Sequence, residues 1–223
     1  MKYFRYIILI LLLWTISCEC PPSADTPKKL TPQNYANICI LNAVHNTYSI
    51  NIDTKYGEII NNLLFKSNSQ YEKIGSGYNY INIKHNIFDF YKVSVQLDLN
   101  SYYTFIPSGN ADQVQATLIK DYVEILNKSK SYIRIINSMP YLPELEIHNE
   151  LLPKKIFKYR DYTSLIESPS VAQLFKIYIE NNMLLNIEII PQAGYFYTIV
   201  PFYNPTEKNI YGLACTIIEL KIP

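Results

Sequence analysis

Beyond its first twenty residues the chain has no apolar run long enough to cross a bilayer, which takes about 20 residues. It therefore offers no transmembrane helix. Cysteine is scarce: of four, Cys18 and Cys20 stand near the N-terminus, leaving only Cys39 and Cys215 further on. No disulfide framework can be built from those two, and folding is expected to proceed without one. They lie in the strand-like segments "NICIL" and "LACTII", where a cysteine usually acts as a small buried hydrophobe. An oxidising compartment would permit them to pair, and the sequence leaves that open.

Histidine is equally sparse, and His45, His85 and His148 show no zinc-like spacing. Glu146 and His148, two apart beside Glu144, can face one way on a strand. Outward charges on an alternating strand are ordinary, so they make a weak metal or acid–base candidate. No Gly-x-Ser-x-Gly stretch is present, and paired carboxylates cannot be nominated without geometry. "GSGY" at Gly75 lacks the helix and Lys-Ser/Thr of a phosphate-binding loop and reads as a hairpin turn. Charge of one sign is missing too. Removing the two cations Lys2 and Arg5 with the leader takes the formal charge from +1 to −1, which leaves no electrostatic case for nucleic acid. No metal and no cofactor is implied.

What is present begins with a leader. Lys2 and Arg5 precede the apolar run Ile7 to Trp14, which ends in the small-residue stretch Thr15-Ile16-Ser17-Cys18. This is a secretory signal, expected over residues 1–17. The cysteine directly after Thr15-Ile16-Ser17 resembles the lipobox of bacterial lipoproteins. That resemblance implies Cys18 as a diacylated first residue, although Thr15 stands where the pattern favours leucine. The alternative is a secreted protein with Cys18 unmodified. Acyl chains contribute about 0.8 kcal/mol per buried CH2, so such an anchor holds a protein at a membrane without a helix. Residues 18–33 follow as anchor and tether; "PPSADTPKKLTPQ" has four prolines and cannot bury a core. At about 3.1 Å per residue, such a stretch reaches roughly 40 Å when extended.

From Tyr35 the periodicity is that of strands. Ile38 and Ile40 alternate with Cys39 and Leu41, and Ile50 and Ile52 with Asn51 and Asp53. The runs "QYEKIG", "YNYINIKH", "YKVSVQLDL", "SYYTFIP" and "VQATLIKDYVEIL" continue the pattern, separated by turn signals at Gly75-Ser76-Gly77, "HNIFD" and Ser108-Gly109-Asn110. No convincing amphipathic helix occurs, although "YGEIINNLLFK" can form a short helical turn. The composition, 48% hydrophobic and 14% aromatic, suffices to fill a core.

The pattern also occurs twice. "ANICILNAVHNTYSINI" at Ala36 returns as "SYIRIINSMPYLPELEI" at Ser131, and Ile38, Ile40, Asn42, Ile50 and Ile52 fall on Ile133, Ile135, Asn137, Leu145 and Ile147 without a gap. Phe65-Lys66 and Tyr71 are matched with Phe157-Lys158 and Tyr162, and Ile81 and Ile83 with Phe175 and Ile177. Tyr103-Thr104-Phe105 is matched with Tyr197-Thr198-Ile199, and Ala116 to Ile119 with Cys215 to Ile218. The expectation is an all-β chain of two tandem Ig-like antiparallel β-sandwich domains, 34–126 and 127–223.

These elements resemble the domain of unknown function 4397 family, whose members open on an apolar strand running into Asn or His, a small residue and Pro, and close near Gly-x-x-Tyr-Thr. "IRIINSMPYLPELEI" carries the opening through Asn137 and Met139-Pro140, and "AGYFYTIV" the close through Gly194, Tyr197 and Thr198. The first copy departs from it: no proline follows Asn42, and Asn100-Ser101 replaces the glycine before Tyr103. The resemblance covers Tyr35 to about Leu220. It implies an extracytoplasmic β-sandwich and supplies no activity.

Residue chemistry explains the repeated positions structurally. Asn42 and Asn137 end strands where an Asx side chain bonds the next amides, and Tyr103 and Tyr197 can bury a ring and send the hydroxyl to backbone. The surface candidates are among the 21 tyrosines. Tyr78, Tyr80 and Tyr178 lie opposite the core phase and can stack on sugars or dock protein, although strand-forming tyrosines ordinarily pack against their neighbours. The functional expectation is a non-catalytic, lipid-anchored cell-envelope protein, held at the membrane by its N-terminal lipid, whose sandwiches act as a scaffold or recognition module for protein or glycan. The alternative is an envelope hydrolase with a site between the two domains.

Overall fold

The computed structural model describes residues 34–85, 88–140, 143–209 and 211–223; the leader, Cys18, Cys20 and the tether lie outside the described residues. All described residues belong to one compact unit. Seventeen strands build it. The first half holds β1 (Tyr35–Ile40), β2 (Ala43–His45), β3 (Ser49–Thr54), β4 (Gly57–Leu64), β5 (Glu72–Gly75), β6 (Gly77–His85), β7 (Phe88–Leu97), β8 (Tyr102–Asn110) and β9 (Gln115–Asp121). The second holds β10 (Ser131–Ile135), β11 (Leu145–Asn149), β12 (Leu152–Phe157), β13 (Ile166–Ser168), β14 (Gln173–Ile179), β15 (Asn182–Ile189), β16 (Tyr195–Tyr203) and β17 (Leu213–Lys221). The fold is all-β, as the period-two pattern requires; the only helical pieces described are two short 3-10 turns, Ala111–Gln113 and Val123–Ile125.

Four sheets result. β5, β1, β8 and β9 form an inner sheet with β2 added to β8, and β4-β3-β6-β7 covers it. β13-β10-β16-β17 and β12-β11-β14-β15 repeat the arrangement. One core lies inside each sandwich: Ile38, Ile40, Ile52, Ile83 and Phe105 in the first, Ile133, Ile135, Ile147, Ile177 and Ile199 in the second. A third core of Cys39, Leu41, Ile106, Ile119, Phe196, Val200, Ile218 and Leu220 joins the two inner sheets. The stack therefore has four layers, and the inner strands are apolar on both faces. That is why "NICIL" reads as a continuous apolar run while "INIDT" alternates.

Pairing is antiparallel except where β8 meets β1 and β2, and where β16 meets β10. These three pairs are parallel because β8 and β16 return from the outer sheet by a crossover and so run with β1 and β10. Gly75-Ser76-Gly77 is likewise no hairpin. β5 pairs with β1 and β6 with β3 and β7, so this corner carries the chain from one sheet to the other. A Cβ on Gly75 would stand 2.1 Å from the Tyr56 ring, which would have to swing away, and Gly77 takes φ +78°, so glycine suits both positions. Ser108-Gly109-Asn110 ends β8 against β2, and the turn falls at Ala111. "YGEIINNLLFK" forms β4 rather than a helical turn; Ile60 and Leu63 face the core while Asn62, at φ +57°, marks a register shift.

The duplication is exact at its hydrogen bonds. Asn42 Nδ2 donates to Leu63 O at 3.0 Å and its Oδ1 accepts from Val44 N at 3.1 Å; Asn137 does the same with Phe157 O and Met139 N, both at 3.0 Å. Tyr103 OH accepts from Asp98 N at 2.9 Å, and Tyr197 OH from Gln192 N at 3.1 Å. These bonds also correct the sequence matching. Leu63, not Phe65, is the partner of Phe157, and the bridges Leu41–Asn68 and Ile136–Tyr162 pair Tyr162 with Asn68 rather than Tyr71. Asn100 (φ +57°) and Gly194 (φ +84°) hold one left-handed position, which asparagine tolerates; this explains the missing glycine of the first copy.

Across the seam, the corresponding corner of each half, at Lys66 and Arg160, meets the corresponding strand of the other, β17 and β9. Thr216 Oγ1 donates to Lys66 O at 3.4 Å, while Arg160, the counterpart of Lys66, donates to Ala116 O at 2.9 Å. This is the signature of a two-fold, isologous interface within one chain. One pair breaks the symmetry. Arg134 and Asp121 meet at 2.5 Å with both side chains buried, where the opposite copy has Cys39 and Leu220. Arg134→Met is expected to cost about 3–5 kcal/mol in urea unfolding, and Asp121→Leu a similar amount, because each strands the other charge. The double variant should lose far less than the sum of the two; a strictly additive cycle would contradict this account.

Candidate functional site

Tyr78 and Tyr80 project from β6 on the outer face of the first sandwich, opposite the buried Ile81 and Ile83. Tyr78 is 78% exposed. Lys92 of β7 stands over the Tyr80 ring at 3.9 Å, so that ring already has a cationic neighbour. Tyr178 lies on the outer face of the second sandwich, at the far side of the stack. The three rings do not form one surface.

Tyr178 stands in the more developed setting. β11 and β14 pair with Glu146 opposite Tyr178 and His148 opposite Lys176, and since Ile147 and Ile177 fill the core these four side chains share the outward face. The His148 and Tyr178 rings meet at 4.6 Å with a 34° tilt. His148 Nε2 bonds Glu146 Oε1, and Lys154 of β12 reaches the same oxygen at 2.9 Å. Lys154, and then His148, hold the Glu146 carboxyl below the usual glutamate value, so it is an acceptor rather than an acid. Beside these rings lies an open groove of about 430 Å³ lined by Asn149, Glu150, Gln173, Leu174, Lys176 and Tyr178 along with His148. Among the described residues no group of three or more His, Cys, Asp or Glu is placed to hold a metal ion.

Sequence reasoning placed Glu146 and His148 on one face of a strand and found Tyr178 separately. It did not join Tyr178 to them, because strand alternation gives a face but not the neighbour across it. Gln173, Leu174 and Lys176 were not singled out; the one signal for Leu174 and Lys176 was that they alternate in phase with Tyr178 in "QLFKIYI", whereas Gln173 shares the buried phase of Phe175.

The seam holds the other concentration of polar groups. Arg134 donates from Nε and Nη2 to Thr198 Oγ1 at 3.1 and 3.0 Å, from Nη2 to Thr104 Oγ1 at 3.1 Å, and from Nη1 to Asp121. Asp121 also accepts from Thr104 Oγ1 at 2.7 Å and Tyr71 OH at 2.9 Å. Burial, then the Asp121 charge, pushes the Tyr71 hydroxyl well above its ordinary value. Cys39 shares this environment, and burial followed by the Asp121 charge pushes its thiol up to about 12. Burial does the same to Cys215, also to about 12. Neither is a thiolate nucleophile at neutral pH. The two cysteines are unpaired, because Cys39 faces the seam and Cys215 the core of the second sandwich. Next to the ion pair, an apolar-walled recess of about 310 Å³ lies between Tyr122, Ile125 and Leu126 on one side and Tyr162 and Leu165 on the other. His45 also sits at the seam, its ring edge-on to Tyr203 at 4.7 Å and its Nδ1 without a protein partner.

Duplicated sandwiches with shared inner faces and exposed outer faces define a class of β-rich modules with no catalytic signature in the fold itself. The chain belongs to the family described as domain of unknown function (DUF4397), whose model matches residues 36–148. The match spans the first sandwich and runs through β10 into β11, ending at His148. No curated protein matches the chain.

Burial holds the His45 pKa below its ordinary value of 6.5. The unfolded chain therefore takes up a proton at higher pH than the folded one. Its contribution to stability is complete above about 6.5 and is lost as pH falls from there towards the lowered folded value. Between pH 7.5 and 5.5 the urea midpoint should fall further in the natural protein than in His45→Gln; equal shifts would remove His45 as the cause.

Proposed function

We propose that the protein is a non-catalytic, lipid-anchored component of the bacterial cell envelope, and that its paired sandwiches serve as a rigid scaffold or recognition module for protein or glycan. The observation that carries this reading is how the titratable groups are used. Arg134, Asp121, Tyr71 and the two threonines at the seam satisfy one another in a closed network, so none of these five is free to act as a base or nucleophile. The accessible polar chemistry lies on the outer sheets, where side chains stand on paired strands and present a fixed surface. A hydrolase with its site between the sandwiches would need a reactive group at the seam. The recess beside Arg134 is lined by apolar side chains with Lys120, Thr163 and Ser164, and by no histidine or carboxylate that would complete a hydrolytic set.

The anchor rests on the sequence alone: the leader, the small residues before Cys18 and a proline-rich tether. Among the described residues no helix is long and apolar enough to cross a membrane. Mass spectrometry of the mature protein should find a lipid-modified peptide beginning at Cys18, and Cys18→Ser should release the protein from the membrane fraction. An unmodified N-terminus elsewhere overturns the anchor. The recognition role is tested by passing solubilised envelope extract over the immobilised full chain. Retention of a saturable component, reduced by Tyr178→Ala or by Tyr78→Ala, is expected. A turnover of ester, amide or glycosidic model substrates that survives repurification and is abolished by a single substitution would replace it with the hydrolase.

A further inference from the structure

The two halves carry the same strand pair at the centre of their outer sheets, β3 with β6 and β11 with β14. Ile52 opposite Ile83 corresponds to Ile147 opposite Ile177. On the outward face this register places Asp53 where His148 stands, Asn82 where Lys176 stands, and Lys84 where Tyr178 stands. The first copy closes the position: Lys84 bonds Asp53 and lies 3.7 Å from Asp89, laying an ion cluster over the strands. In the second copy rings replace both partners of that pair. His148 turns to Glu146 on its own strand, and the groove opens beside it.

Its volume of about 430 Å³ falls within the range of small-ligand sites, about 300–1,000 Å³. The ligand class follows from what lines it. Glu150 and Lys176 contribute one charge of each sign, so neither an anion nor a cation finds an excess of its opposite. Asn149 holds the rim, donating to Leu174 O at 2.9 Å and accepting from Leu151 N at 2.7 Å. Along β14 the outward face runs Leu174, Lys176, Tyr178, so the half-buried Tyr178 and the exposed Leu174 are apolar groups at either end with the Lys176 amine between them, an alternation that suits a sugar's C–H face and its hydroxyls. An extended peptide would have to bind without main-chain pairing, since β11 and β14 are interior strands already bonded on both sides.

We infer that this groove is a carbohydrate subsite, taking a neutral sugar against Tyr178 and Leu174 with its hydroxyls on Glu150, Lys176 and His148. This rests on the recognition reading above and adds its site and ligand. Saturation-transfer difference NMR on the full chain in detergent, with cellobiose, maltose and N,N′-diacetylchitobiose as probes, tests it. At least one disaccharide should receive saturation on its ring protons. In Tyr178→Ala binding should be about tenfold weaker, the loss of one stacked ring. Tyr178→Phe should keep most of it, and Tyr48→Ala, an exposed ring of the first half, should leave it unchanged. Lys176→Ala, at an exposed position of β14, checks the site independently of any folding defect in the tyrosine variants, and its melting temperature should match that of the natural protein. Transfer that survives both Tyr178→Ala and Lys176→Ala overturns the site, and no transfer to any of the three sugars overturns the ligand class. If envelope extract still yields a retained protein under those conditions, recognition stands and the carbohydrate inference alone fails.

Discussion

Arg134 is the residue around which the two sandwiches are arranged. A guanidinium 2% exposed between two apolar sheets would cost several kcal/mol unless every donor found an acceptor. It finds Thr198 on its own sheet, Thr104 and Asp121 on the other, and those partners fix the sliding position and rotation of one sheet on its neighbour. The surrounding apolar contacts are less particular, since Ile, Val and Leu side chains tolerate small shifts in register. Hydrophobic burial at the seam therefore supplies adhesion, while the ion pair supplies alignment.

The pair also explains why an internally repeated chain need not be symmetric. Thr104 and Thr198 are equivalent and both serve one arginine, but the positions of Arg134 and Asp121 are occupied in the opposite copy by Cys39 and Leu220. A second ion pair related by the two-fold would bring four charges into one dry layer, with the desolvation cost of each added to the like-charge repulsion between the pairs. An apolar counterpart avoids that. Cys39 is small enough to sit beside the network, and its raised thiol value reports how dry the layer is.

Much of this architecture was legible in the sequence because the repeated features are local. Period two gave the strands, and Asn42 and Asn137 announced the turns they make. Tyr103 and Tyr197 do send their hydroxyls to backbone amides five residues upstream. The errors share one cause, that a strand does not name its partner. Gly75-Ser76-Gly77 looks like a hairpin when only its composition is weighed, yet its flanking strands belong to different sheets. Phe65 was matched to Phe157 on identity, whereas the bond from each asparagine to β4 or β12 sets the correspondence two residues earlier. Arg134 and Asp121 were visible as charges inside the apolar runs "SYIRI" and "LIKDYV", but only the packing of sheets makes them neighbours.

The same reasoning separates the faces by what they are free to do. An inner strand contributes one face to its sandwich core and the other to the seam, so nearly every position on β1, β8, β10 and β16 is occupied by packing. The outer strands commit their inward residues, Ile52 and Ile83 or Ile147 and Ile177, to the cores and turn the alternate residues outward. The two copies keep the same inward residues there and diverge outward, to an ion cluster of Lys84, Asp53 and Asp89 in one and to His148, Tyr178 and an open groove in the other. The family match ends at His148, within the strand that carries this difference. A scaffold whose backbone is duplicated to the level of single hydrogen bonds can change one outer face without disturbing the seam, because no side chain on that face reaches the layer where Arg134 sets the alignment.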